Sequence, residues 1–308
     1  MSPRAVTGVR YVTILGAAIG IAGVVTPLAA QANPYSGNLL ETIRGLAHAV
    51  PGALPVSVRY LIVEEDSNLL SNTVEGAPKT KISDVDPVFQ VRYPAGWIMV
   101  DAGYTKEPGS SDRGTFYNDR YAQSQAAMEH AGLIVVTHEH GDHTGGLLLP
   151  TLPASVAART MLNRAQVQTF MGKTRSGVAG FDSARASRYL IVDYERLLPI
   201  GPGVVLIRAP GHTPGSQMVY VQLASGHEMI LVGDVVWHLS GITTQHQKPD
   251  STSRQMGEDR TSIGQEIAWL QNAAAPANIS LVVSHDGVAL KALTTQGTVI
   301  EGLDLKNP

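Results

Sequence analysis

The segment Thr137-His138-Glu139-His140-Gly141-Asp142-His143-Thr144-Gly145-Gly146 constrains this chain more than any other part of it. It follows Leu133-Ile134-Val135-Val136, a short β-branched apolar run that predicts a buried strand. The cluster therefore sits where the backbone leaves a sheet and side chains can converge on a ligand. His138, His140, Asp142 and His143 are all metal-ligand types. Residues two apart in an extended segment point the same way, so His138 and His140 can close on one ion. Gly141 permits a tight turn, after which Asp142 and His143 reach a neighbouring position. One loop can thus serve two metals. The competing reading, histidines crowding a polar loop with Asp142 capping the next helix, leaves the whole constellation to chance.

His138-x-His140-x-Asp142-His143 resembles the signature of the metallo-β-lactamase superfamily, and later pieces follow in that family's order. Ala209-Pro210-Gly211-His212-Thr213-Pro214-Gly215-Ser216 resembles its second motif. Leu231-Val232-Gly233-Asp234 is similar to its bridging-aspartate motif, and Val282-Val283-Ser284-His285-Asp286 to the motif of its last histidine. The strand and turn Trp97-Ile98-Met99-Val100-Asp101-Ala102-Gly103 also fit, so the likeness runs from about Val56 to the C-terminus. It implies an α+β fold, the four-layer αββα sandwich. Two series of strands and helices, each ending in ligand-type residues, independently argue for sheets inside and helices outside. The resemblance implies a ligand set as well: His138, His140 and His212 on one metal, Asp142, His143 and His285 on the other, and Asp234 between them. Asp101 matches an aspartate that, in the superfamily, buttresses the metal loop by hydrogen bonding.

Neutral imidazoles and carboxylates suit zinc, with manganese, iron or cobalt as alternatives. Two close divalent ions should lower the pKa of a bridging water toward neutrality, and the resulting hydroxide would attack a polarised carbonyl or phosphoryl group. Asp142 and Asp234 are the candidate catalytic carboxylates, Asp142 also as proton carrier to the leaving group. Tyr104, Trp237 and His238 are candidate substrate contacts, ordinary packing being the alternative for Tyr104 and Trp237. Metallo-β-lactamases proper generally lack the aspartate bridge, and one branch uses a cysteine, a residue this chain does not contain. Glyoxalase-type thioesterases share the ligands but continue into a helical domain, whereas 23 residues follow His285 here. The nearest resemblance is therefore the lactonase and organophosphate-hydrolase-like branch, which includes N-acyl-homoserine lactonases. The expected function is an exported dinuclear hydrolase of esters or lactones, acting on a small molecule. The alternatives are β-lactam or phosphotriester hydrolysis at the same site, or a secreted metal-containing binding protein without turnover.

The 308 residues suffice for one substantial domain, and a formal net charge of -3 gives no electrostatic reason to expect a nucleic-acid partner. Without cysteine there are neither disulfides nor thiolate ligands. Near the start, Arg4 and Arg10 precede the apolar, uncharged stretch Tyr11 to Val25, and Ala30-Gln31-Ala32 has the small-x-small form of a cleavage site. Residues 1–32 therefore read as a signal peptide and 33–308 as a single hydrolase domain, periplasmic or secreted. An uncleaved membrane anchor is the alternative, because the uncharged stretch runs on toward spanning length. Strands are expected at 56–64, 88–93, 97–100, 189–192, 204–208, 218–223, 227–232 and 279–283, and helices at 39–50, 118–130, 155–162, 164–171 and 262–273. Residues 173–187 read as an exposed loop shaping the substrate pocket, and 241–258 as a long polar loop near the site.

Overall fold

Successive side chains of a strand point to opposite faces, and in this chain both faces are apolar, which divides it into layers. The computed structural model describes residues 33–104, 114–172 and 176–306, so the signal segment expected at 1–32 lies outside the described residues. Strands β1 (Ser57–Leu69), β2 (Lys81–Arg92), β3 (Trp97–Val100), β4 (Thr115–Phe116), β5 (Leu133–Val135), β6 (Thr160–Leu162) and β7 (Leu190–Ile191) belong to one sheet. A second sheet holds β8 (Leu197–Gly201), β9 (Val204–Arg208), β10 (Gln217–Gln222), β11 (Glu228–Leu231) and β12 (Ser280–Val282). Finally β13 (Ile300–Glu301) returns to the first sheet beside β1. The spatial orders are β13-β1-β2-β3-β5-β6-β7, with β4 on β1, and β12-β11-β10-β9-β8.

Val58 and Tyr60 of β1, Val204 and Leu206 of β9, and Val219 and Val221 of β10 meet between the sheets. Their chain neighbours face outward. Leu61 and Val63 pack with Ala127 and Met128 of the helix Asn118–His130. Val205, Ile207, Met218 and Tyr220 pack with Leu39 and Ile43 of the helix Leu39–Ala47 and with Ile263 and Ile267 of Arg260–Trp269. Three separate apolar layers between four layers of structure make the αββα sandwich, each fully buried aliphatic side chain contributing roughly 1.5–3 kcal/mol. Among the described residues no helix is long and apolar enough to cross a membrane.

Two parallel pairings decide where the chain's polar turns gather. Val100 of β3 pairs with Val135 of β5, and Leu231 of β11 with Val282 of β12. Each pair releases its two strands in one direction, so Asp101 and Thr137 emerge together, as do Gly233 and Ser284. Between β9 and β10 the turn carrying His212 is held by Asn163, whose side-chain amide donates to the Gly215 carbonyl at 2.8 Å. The same Asn163 starts the helix Arg164–Met171 through a capping box with Gln166.

Several expectations change. Residues 81–87, outside the strand expected at 88–93, extend β2 into a long ribbon with β1, where both faces can stay partly polar. The helix expected over 155–162 stops at Ala157, and Thr160–Leu162 is a short parallel strand with Thr160 and Leu162 buried. Strand β8 contains Pro199, which its edge position tolerates. Residues 241–258 are not one loop but contribute to the short helices Leu239–Thr243 and Asp250–Met256. Within the expected exposed loop, Phe181 is buried between Phe170 and Tyr189, with ring centroids at 5.4 and 5.6 Å, and Ser183–Ala186 is helical.

Glu266, on the helix Arg260–Trp269, anchors the His212 turn from behind. Its Oε1 accepts the Gly211 N–H at 3.0 Å and lies 3.3 Å from the Tyr35 hydroxyl, while its buried Oε2 has no hydrogen-bond partner. Burial pushes this carboxyl up from its usual 4.5 to about 7. The unfolded chain therefore ionises Glu266 before the folded one does, and stability falls as pH rises from 4.5 to 7. The isosteric Glu266→Gln removes that dependence. Urea unfolding should find the two proteins similar near pH 4.5 and the variant ahead by roughly 3 kcal/mol at pH 8. A gap independent of pH would remove the buried neutral carboxyl from this account.

Candidate metal centre

Five imidazoles and two carboxylates converge where the strand ends meet, in two groups that share Asp234. In the first group, His140 Nδ1 lies 3.0 Å from both His138 Nε2 and His212 Nε2. Asp234 Oδ2 stands 3.6 Å from His138 Nε2 and 3.4 Å from His212 Nε2. In the second, His143 Nε2 and His285 Nε2 are 3.3 Å apart, and Asp142 Oδ2 is 3.4 and 3.5 Å from them. Asp234 Oδ1 completes that group at 3.3 and 3.2 Å. Four donors placed tetrahedrally around an ion at zinc-like bond lengths are about 3.3 Å apart, so both groups have the spacing a divalent cation requires. Asp234 Oδ1 is moreover buried with no hydrogen-bond partner, as a carboxylate oxygen reserved for a cation would be. The donor chemistry thus fits a divalent pair with Asp234 as the shared carboxylate.

Local backbone geometry aims these groups. Gly233 takes the left-handed φ of +56°, turning the chain so that Asp234 faces back over the His138 loop, and a Cβ there would meet Thr137 at 3.1 Å. Asp101 is also left-handed, at φ 64°, an uncommon state for a residue other than glycine. Its fully buried carboxylate accepts the Thr137 N–H at 2.6 Å and His143 Nδ1–H at 2.8 Å, which leaves His143 Nε2 free to face the second group. This is the hydrogen-bonding position expected for Asp101. His285 Nδ1 donates to the Val85 carbonyl at 3.1 Å, with Asp84 and Asp86 carboxylates at 3.4 and 3.3 Å. His212 Nδ1 donates to Glu258 Oε1 at 2.6 Å. Glu139 accepts the Gly215 N–H at 2.8 Å and the Thr213 hydroxyl, joining the two ligand loops.

Electrostatics separates the two groups. Burial holds His138 well below the usual histidine range, assisted by His143, and burial likewise lowers His140 and brings His212 to about 4. Such rings are neutral donors at physiological pH, the form a metal binds. Burial also acts against charge on His143 and His285, but there carboxylates prevail. Asp101, Asp142 and Asp234 lift His143, and Asp234 with Asp84 and Asp86 lifts His285, both well above the usual range. Burial disfavours charge on Asp234 too, yet His285, His138 and His143 hold it well below the ordinary carboxylate range. The second group therefore attracts positive charge more strongly than the first.

All seven side chains expected as ligands are in this cluster. Only His140 and Asp142 among them keep appreciable exposure. Tyr104 is half-buried beside the metal loop, its Cε2 3.9 Å from where a Gly141 Cβ would lie. Trp237 donates its indole N–H to Asp234 Oδ2 at 2.6 Å, its ring centroid 6.3 and 6.2 Å from those of His212 and His285. His238 accepts the Ser240 N–H at 3.2 Å, capping Leu239–Thr243, and its Nε2 lies 3.5 Å from Asp286. Sequence reasoning did not single out Glu139, Asp84, Asp86, Lys248 or Glu258. Glu139 stands inside the motif, but the others lie in segments with no ligand pattern.

A family model described as the metallo-beta-lactamase superfamily matches residues 88–255. No curated protein sequence matches the chain. Among solved structures, a quorum-quenching N-acyl homoserine lactone lactonase is similar at TM-score 0.61 and 15% identity, over 79% of this chain and 97% of that one. A probable metal-dependent hydrolase from Staphylococcus aureus is similar at TM-score 0.56 and 13% identity, over 77% and 91%. AidC, a dizinc quorum-quenching lactonase, is similar at TM-score 0.54 and 13% identity, over 73% and 85%. These identities speak for the fold alone. The family match, by contrast, spans more than half the residues and includes the loops bearing His138, His212 and Asp234, and this chain belongs to the metallo-β-lactamase superfamily.

Proposed function

We propose that the protein is an exported dinuclear metallohydrolase of lactones and esters, with zinc as its metal. The observation that carries this reading is the placement of Asp234, one carboxylate oxygen toward each group of histidines. A divalent pair held here would supply Lewis acidity and acidify a bound water. His138, His140 and His212 would hold one ion through neutral ring nitrogens, and Asp142, His143 and His285 would hold the other. Asp142 is partly exposed and stands at the cleft, where it can relay the attacking water's proton to a departing alkoxide; burial opposes charge on it, but His143 and His285 hold it well below the usual carboxylate range, so the proton is passed on and not retained. Substrate approaches from the side of His140 and Asp142, because the remaining ligands are closed off by packing. The lactone is favoured as substrate because the similar structures include lactonases, one of them described as dizinc. Export is favoured by the charge and apolar pattern of residues 1–32.

Elemental analysis of the purified protein should find two divalent ions per chain. His138→Ala and His285→Ala should each lower that number and reduce kcat/KM by more than about a hundredfold, since loss of an outer partner of a ligand already costs 10–100-fold. Tight metal binding with no turnover by the unsubstituted protein, and no loss of bound metal in His138→Ala, would instead identify a binding protein.

On a panel of a lactone, an aryl ester, a phosphotriester and a β-lactam, the lactone and ester should be turned over best. Preference for the β-lactam would move the protein to the lactamase branch and end the lactonase assignment. Asp234→Asn keeps the shape of the shared side chain but removes its charge, and should lower metal content below two per chain while leaving thermal unfolding cooperative.

A further inference from the structure

Lys248 is 1% exposed, and its ammonium group lies inside the protein within reach of the metal centre. Nζ donates to the Asp234 main-chain carbonyl at 2.7 Å and to Glu258 Oε1 at 2.7 Å, and it sits 4.9 Å from the Trp237 ring centroid. Glu258 Oε1 in turn accepts His212 Nδ1–H at 2.6 Å. The side chains of Lys248, Glu258 and His212 are all fully buried. A line of polar contacts therefore runs from the backbone of the shared aspartate, through a lysine and a glutamate, to a histidine of the first group.

Such an arrangement is a poor way to stabilise a fold. Removing two charges from water costs several kcal/mol per ion, and a buried pair often does no better than apolar residues of similar volume. Glu258 Oε2 adds to the cost, being buried without a hydrogen-bond partner. The position of the pair supplies a different rationale. A carboxylate on Nδ1 fixes the His212 tautomer, so that the Nε2 lone pair points at His140 Nδ1, 3.0 Å away, and at Asp234 Oδ2, 3.4 Å away. Lys248 holds the Glu258 carboxylate in place and, through its second bond, ties the Asp234 backbone to the ring that Glu258 aims.

We propose that Lys248 and Glu258 are positioning residues for the His138, His140 and His212 side of the centre, setting its cation affinity by fixing the His212 ring. The proposal rests on the metal-binding part of the functional reading and not on the identity of the substrate. It concerns one side only, because His143 and His285 are oriented by Asp101 and by the Asp84–Asp86 segment.

The test is zinc titration of the full chain against a chromophoric chelator, together with the visible spectrum of the cobalt-substituted protein. The double variant Lys248→Met with Glu258→Gln removes the pair without leaving a lone buried charge. One zinc equivalent should weaken 10–100-fold while the other holds its affinity, and the cobalt bands of the weakened site should shift. Glu258→Asp keeps a carboxylate, and should show the same selective weakening at smaller size, which decides the matter if the double variant does not fold. Two equivalents bound as in the unsubstituted protein, with an unchanged cobalt spectrum, overturn the proposal even if thermal stability drops, and so does an equal loss at both sites. Failure of the unsubstituted protein to bind any cation overturns the proposal and the metallohydrolase reading together. Failure to hydrolyse the substrate panel, with the selective weakening intact, counts against that reading alone.

Discussion

A carboxylate closed off from water among imidazoles is the constraint on which this structure turns. Asp234 is 4% exposed, and one of its oxygens has no hydrogen-bond donor. Burying such a charge costs several kcal/mol unless positive charge lies close by. The surrounding chain sets ring nitrogens that can hold a cation on both sides of it. Parallel pairing of β3 with β5 and of β11 with β12 delivers the metal loop, Asp101, Asp234 and His285 to one edge of the sandwich. Neither sheet holds a complete set of donors, so packing between sheets is also what assembles the site.

The donors themselves were legible because the information is local. His138, His140, Asp142 and His143 lie within six residues, and their spacing follows from strand alternation and one glycine turn. The αββα layering was legible through the resemblance and the two series of strands and helices, with near-continuous apolar runs such as 204–208 and 218–223 belonging to strands buried on both faces. Legibility failed where an element was too short or its polarity misleading. Thr160–Leu162 is three residues long, and no periodicity separates it from the helical turn preceding it. Segment 241–258 looked like solvent-facing loop because it is polar, yet Lys248 and Glu258 turn their polar groups inward. Polarity predicts exposure only when a side chain lacks a buried partner, and those partners, Asp234 and His212, are distant in sequence.

That contrast extends to the outer hydrogen bonds of the histidines. Asp101 reaches His143 across 42 residues, Glu258 reaches His212 across 46, and the Val85 carbonyl reaches His285 across 200. Each contact occupies one ring nitrogen and leaves the other facing the cluster. The motif thus specifies which atoms can bind, while distant parts of the fold specify which way they point. A sequence retaining every histidine would still be a poor metal site if those supporting groups were lost.

Selection among substrates must then come from side chains outside the ligand set, because the ligands offer only two partly exposed members, His140 and Asp142. Trp237 is the neighbour best placed to contribute, but its one polar hydrogen is already donated to Asp234 Oδ2. His238 is similarly engaged with Ser240 and lies beside Asp286. What Trp237 has left to offer a substrate is therefore the carbon surface of its ring, which favours an apolar group beside the shared carboxylate and disfavours one that needs a hydrogen bond there. For the proposed ester or lactone substrate, an acyl chain next to the carbonyl would meet that condition without disturbing the contact that holds Asp234 in place.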